Sequence, residues 1–100
     1  MTDIDPENED AFNHWYEEEH IDERLSCPGF LRARRYKTIE GSPKYLALYD
    51  LESPDALQSE VYLNYIGAGK TANSQRIDSQ FRNMKRNVYV LISDKSAKSS

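Results

Sequence analysis

The chain has 100 residues, 38% of them hydrophobic and 30% charged, enough for one small domain with a thin core and too few for a second. No stretch approaches the roughly 20 apolar residues of a membrane span, and the opening MTDIDPENED lacks the basic and apolar regions of a signal peptide, so a cytoplasmic protein without membrane contact is expected. Cys27 is the single cysteine, which excludes an internal disulfide and a cysteine-based zinc cluster and fits a reducing compartment.

The net charge of -4 conceals a division. Up to Arg24 there are ten acids and one base; beyond it there are seven acids and twelve bases. The two parts should attract. Arg32, Arg34, Arg35 and Lys37 form the densest basic stretch, but so acidic a neighbour can neutralise them, and no nucleic-acid partner is expected.

In chain order, Thr2 to Ile4 leave room for a clipped strand only. Asp5 as N-cap and Pro6 at the first helical position open a helix predicted from about Pro6 to His20. Phe12, Trp15, Tyr16 and Glu19 fall at i, i+3, i+4 and i+7, an aromatic stripe that carries a carboxylate at its end. At about 100° per residue Ile21 points almost opposite Phe12, so the helix should end or change direction near His20, before Pro28-Gly29 closes the turn.

Residues 29 to 41 and 42 to 52 read as a β-hairpin turning at Gly41-Ser42-Pro43. Tyr45, Ala47, Tyr49 and Leu51 alternate with Leu46 and Leu48, so both faces of the second strand need cover. Ser53 and Pro54 signal a second helix with Leu57, Val61 and Tyr65 spaced by four, ending before Gly67. After a polar loop, Ile77, Phe81 and Met84 suggest a short helix, and residues 87 to 93, NVYVLIS, a terminal strand. One α+β domain over residues 1 to 93 follows, with 94 to 100 as a disordered tail. The order βαββαβ is the ferredoxin-like plan, a four-stranded antiparallel sheet with both helices on one face. Its bare face carries apolar groups, and a face-to-face homodimer is the natural cover.

The run from Phe12 to Phe30, FNHWYEEEHIDERLxxPGF, followed by ARRY at 33 to 36 and KYLALY at 44 to 49, resembles the small EthD-like proteins of the dimeric α/β-barrel superfamily. The resemblance covers roughly residues 3 to 92. It implies a pocket between helices and sheet, with the histidine of the Glu-His pair pointing into it. Such proteins usually open with a full apolar strand before the segment matching Asp3-Ile4-Asp5-Pro6, so the resemblance implies a longer first strand than Thr2 to Ile4 supply. Relatives include isomerases, cyclases, cofactor-free monooxygenases and haem proteins, so the resemblance alone selects no chemistry.

His20 is the leading catalytic candidate, because imidazole titrates near neutrality and a helix break beside an aromatic face sets it at a pocket mouth. The bland alternative is a histidine that bonds a free carbonyl at the helix end. Glu19, a carboxylate on an apolar stripe, either titrates abnormally as a second catalytic group or pairs with Arg34 or Arg35 on the following strand. Asn13, Trp15, Tyr16, Tyr36, Tyr45 and Tyr49 could line a flat aromatic-sized cavity, although most tyrosines of this kind belong to cores and interfaces.

Three signals carry little. Gly67-Ala68-Gly69-Lys70-Thr71 lacks the P-loop glycine at position 64, where Asn64 stands. His14 and His20 on one continuous helix point about 120° apart, too far to share a metal with Glu18. Cys27 has no evident activating partner.

The expected function is cofactor-independent acid-base chemistry, of isomerase, cyclase or dehydratase type, on a small aromatic or polyketide-like carbonyl compound. His20 would move the proton, Glu19 would orient it, and Arg34 or Arg35 would hold an anionic group. The alternatives are a cofactor-free monooxygenase and a non-catalytic small-molecule or haem-binding module.

Overall fold

The computed structural model describes residues 1–97; the last three positions of the expected tail, 98–100, lie outside the described residues. Strand β1 (Asp3–Ile4) leads through a 3-10 turn (Pro6–Asn8) into α1 (Glu9–Trp15). Pro6 starts the turn as expected, but the Asp5 side chain makes no capping bond there and instead accepts from Arg82 Nη2 at 3.2 Å.

The helix does not end at His20. It continues through a π-helical turn (Tyr16–His20) into α2 (Ile21–Leu25). The Ile21 N–H donates to the Tyr16 carbonyl, an i→i+5 bond that takes one more residue into the turn than an α-helix does. That extra residue shifts the phase of everything after it. Ile21, aimed away from Phe12 on a regular helix, is thereby packed against the core.

Gly29 closes the turn after α2 at φ +84, a conformation natural to glycine, and a Cβ there would stand 2.8 Å from Ala56 Cβ. Strands β2 (Phe30–Lys37) and β3 (Tyr45–Leu51) form the expected antiparallel hairpin, in register from Arg32 opposite Asp50 to Lys37 opposite Tyr45, with a bulge between Phe30 and Arg32. Because opposed residues share a face, Arg35, Ala47 and Tyr49 look toward the helices while Arg34, Tyr36, Leu46 and Leu48 look away.

The second half departs further from expectation. Ser53 caps only a 3-10 turn (Pro54–Gln58); the chain extends at Ser59, whose hydroxyl accepts from the Tyr62 N–H and starts α3 (Glu60–Ile66). The new phase buries Tyr62, stacked on Phe30 at 5.5 Å, and leaves Val61 exposed. The next helix, α4 (Ala72–Asp78), lies inside the expected polar loop, with Thr71 as its cap. It ends before Phe81, which enters strand β4 (Phe81–Arg82), while Met84 is exposed.

The core gathers Ile4, Phe12, Trp15, Tyr16, Tyr45 and Ile77, with Ile21, Ala47 and Phe81 packed against it. The sheet is not the expected continuous four-stranded one. Two antiparallel pairs, β1 with β4 and β2 with β3, are joined by a single bridge in which Thr2 and Tyr45 exchange backbone bonds at 2.9 and 3.0 Å. The terminal strand expected at 87 to 93 is absent. Val88, Tyr89, Val90, Leu91 and Ile92 are all more than half exposed, because β1 offers no backbone opposite them. High β-propensity does not make a strand without a ladder.

The charge division acts across these elements. Glu17 pairs with Arg35, Glu9 with Lys44 and Asp5 with Arg82, each joining the acidic beginning of the chain to its basic remainder. Among the described residues no helix is long and apolar enough to cross a membrane.

Candidate functional site

Residues five apart on a regular α-helix point about 140° away from each other. The π turn brings two of them together: the His20 ring stacks on Trp15 with centroids 4.2 Å apart and planes at 28°. Tyr16 meets the imidazole edge-on at 5.0 Å, and Tyr49 of β3 approaches at 6.4 Å. Burial, reinforced by the positive charges of Arg24, Lys70 and Arg35, pushes the His20 imidazole down to about 3, so the ring is neutral at physiological pH. No hydrogen bond to His20 is found among the described residues. The Tyr49 hydroxyl is buried without a partner, and burial raises its pKa.

On its other flank His20 borders a shallow recess with Trp15, Glu23, Arg24, Lys70 and Asp78, about 210 Å3 with open solvent included. Lys70 and Asp78 are bonded to each other across it.

Glu19 is turned to other work. Its carboxylate accepts from Thr71 Oγ1 and from Asn73 Nδ2 at 2.9 Å, with Ser74 Oγ at 3.5 Å. These donors hold it ionised and lower its pKa. Ser74 Oγ also accepts from the Trp15 indole N–H at 3.0 Å. Glu19 thus ties the first helix to the start of α4, and neither Arg34 nor Arg35 is its partner.

Arg35 lies on the helix side of the sheet. It donates to Asn13 Oδ1 at 2.6 Å and to Glu17 Oε1 at 2.8 Å, with its guanidinium 4.4 Å from the Tyr16 ring centre. Asn13 in turn donates to the Tyr45 hydroxyl at 3.4 Å, and that hydroxyl donates to Glu9 at 2.7 Å. Arg34 faces the other way and makes a two-pronged bond to Asp50 at 2.9 and 3.1 Å. Tyr36 shares that outer face and is 47% exposed.

The ten candidate residues therefore divide by face. Asn13, Trp15, Tyr16, His20, Arg35, Tyr45 and Tyr49 gather between the first helix and β3; Glu19 turns to α4; Arg34 and Tyr36 cannot join them. Sequence reasoning missed Lys70, Thr71, Asn73, Ser74 and Asp78. The signal for part of this group was a threonine followed three residues on by a serine at a helix start, where the Thr71 hydroxyl accepts the Ser74 N–H. Among the described residues no group of three or more His, Cys, Asp or Glu is placed to hold a metal ion.

A family profile described as Domain of unknown function (DUF4286) matches residues 1–89. No curated protein and no solved structure matches the chain.

Proposed function

From the premise that the chain belongs to the DUF4286 family, whose description carries no activity, we propose that it performs cofactor-independent acid-base chemistry on a small aromatic or polyketide-like carbonyl compound, with His20 as the proton-transfer group. One observation carries this reading: the His20 imidazole and the Tyr49 hydroxyl lie close together and inward, without protein partners. Buried polar groups are normally satisfied, so two neighbours left open suit a ligand that brings its own donors and acceptors.

A neutral imidazole accepts a proton from an acidic C–H or O–H of the bound compound. The enolate or phenolate formed beside it then offsets the desolvation that keeps the free ring neutral. Tyr49 donates to the substrate carbonyl, and Arg35 supplies positive charge on the same side of the sheet. Asn13, Tyr16 and Tyr45 shape that side, while Glu19 positions α4 and takes no part in the proton step.

A second reading, a non-catalytic small-molecule module, is favoured by the low basicity of His20 at about 3, far from the near-neutral value of an efficient general base. A relation to the dimeric α/β-barrel proteins and a face-to-face homodimer belong to the same proposal. They are supported by the Thr2–Tyr45 bridge, which sets β1 beside β3, and by Tyr36, Leu46 and Leu48 on the outward face. A cytoplasmic setting accords with the free, buried thiol of Cys27.

The test is a panel of phenols and β-keto acids, followed through the ring resonances of His20 and Tyr49 and through turnover. Binding with turnover that falls by about 10²- to 10⁴-fold in His20→Gln supports the catalytic reading. Binding without turnover leaves the module. If no compound moves either ring, both readings fail.

A further inference from the structure

Strand β1 is short, but the ladders on its two sides are in step. On one side Thr2 exchanges both backbone bonds with Tyr45. On the other, Met1 exchanges both with Lys85 at 2.7 Å. Antiparallel alternation turns the N–H and C=O groups of Ala47, Tyr49 and Leu51 away from β2, toward the lane in which Thr2 lies. Beyond Lys85, Asn87 to Ile92 have no ladder partner among the described residues, and Val88 to Ile92 are exposed.

We propose that this lane takes an extended segment of about six residues that continues β1 in the N-terminal direction, joined through the Met1 nitrogen. Its first, third and fifth residues, counted back from Met1, fall opposite Ala47, Tyr49 and Leu51. Its second, fourth and sixth fall opposite Asn87, Tyr89 and Leu91, which pair with them as a strand. Thr2 and Ile4 are buried, so the residues in step with them share the helix-facing side with Ala47 and Tyr49 and must be apolar.

Continuity of both ladders through Met1 selects the occupant. A separate peptide or a second copy would have to end against the Met1 ammonium, which is partly withdrawn from water at the head of the lane. A peptide bond at that nitrogen removes the charge. This inference rests on main-chain register and stands apart from the acid-base reading.

Three forms of the full chain test it: unextended, extended at Met1 by six alternating valines and threonines with valine on the helix-facing positions, and extended by six glycines and serines. Hydrogen exchange at Ala47, Tyr49, Leu51, Asn87, Tyr89 and Leu91 is the readout. The valine–threonine form should slow exchange at these amides at least tenfold, and the glycine–serine form should not. Independently, a cysteine placed directly before Met1 should form a disulfide with Ala47→Cys in a Cys27→Ser background. Equal exchange in the three forms together with no cross-link overturns the proposal. So does equal protection by the free valine–threonine peptide, or an unextended chain that is dimeric with those amides already protected.

Discussion

His20 ties the stability of the fold to pH. Burial, with Arg24, Lys70 and Arg35 adding to it, pushes the folded-state imidazole down from 6.5 to about 3, while an unfolded chain leaves it near its ordinary value. Below that ordinary value the unfolded state binds a proton that the folded state refuses, so the native state loses stability as pH falls. The contribution is intact above 6.5 and is spent as pH approaches about 3. Each pH unit within the window costs about 1.4 kcal/mol, so going from about pH 7.5 to about pH 5 removes about 2 kcal/mol. For a domain of this size that lowers the melting temperature by about 10 °C. Asp3, Glu9 and Glu19, whose pKa values hydrogen bonds hold down, act in the same direction, but only as pH falls through their unfolded values near 4. Urea unfolding at pH 7.5, 6 and 5, on the native chain and on His20→Gln, isolates the imidazole. The native chain should weaken steadily while the variant stays nearly level. A native chain equally stable at the three pH values, or the same slope in the variant, would refute the buried neutral histidine.

Glu19→Gln keeps the shape but removes the charge that Thr71, Asn73 and Ser74 converge on, and should cost about 1–2 kcal/mol in urea unfolding. A larger loss of turnover than of stability would instead return Glu19 to the proton step. Gly29→Ala meets both a positive φ and the 2.8 Å approach to Ala56, and should destabilise by more than about 1 kcal/mol, whereas Gly41→Ala, with no neighbour in reach, should cost less. Cys27 is 2% exposed and burial raises its thiol pKa, so a thiol reagent should label it at the rate of opening, and immediate labelling in native buffer would contradict its placement.

The aromatic stripe was readable because a period of 3.6 is local information: Phe12, Trp15 and Tyr16 are all buried. The hairpin was readable from alternation, and Gly67 from its place after an apolar run. What escaped depended on partners distant in sequence. The same phase conflict at Ile21 permits a helix end or a π turn, and only packing against the core selects the turn. Arg34 and Arg35 are adjacent, so strand register alone decides which faces the helices. Residues 87 to 93 have every local mark of a strand, yet a strand is defined by the backbone beside it. In the site, His20 and the inward aromatic residues came from the sequence, while the Trp15–His20 stack could not, since regular helical spacing holds these two rings apart.

The π turn gives the first helix an adjustable length. One residue more than an α turn is accommodated between Tyr16 and His20, so deleting a single residue such as Glu18 would let the backbone relax to uninterrupted α-helix. Everything after it would rotate by about 100° and draw back by about 1.5 Å. Ile21 would leave the core, the imidazole would leave the indole, and Gly29 would no longer meet Ala56. The helix on the N-terminal side would keep Phe12 and Trp15 where they are. Fold and site thus respond differently to one and the same deletion: the aromatic anchor survives it, and the arrangement around His20 does not.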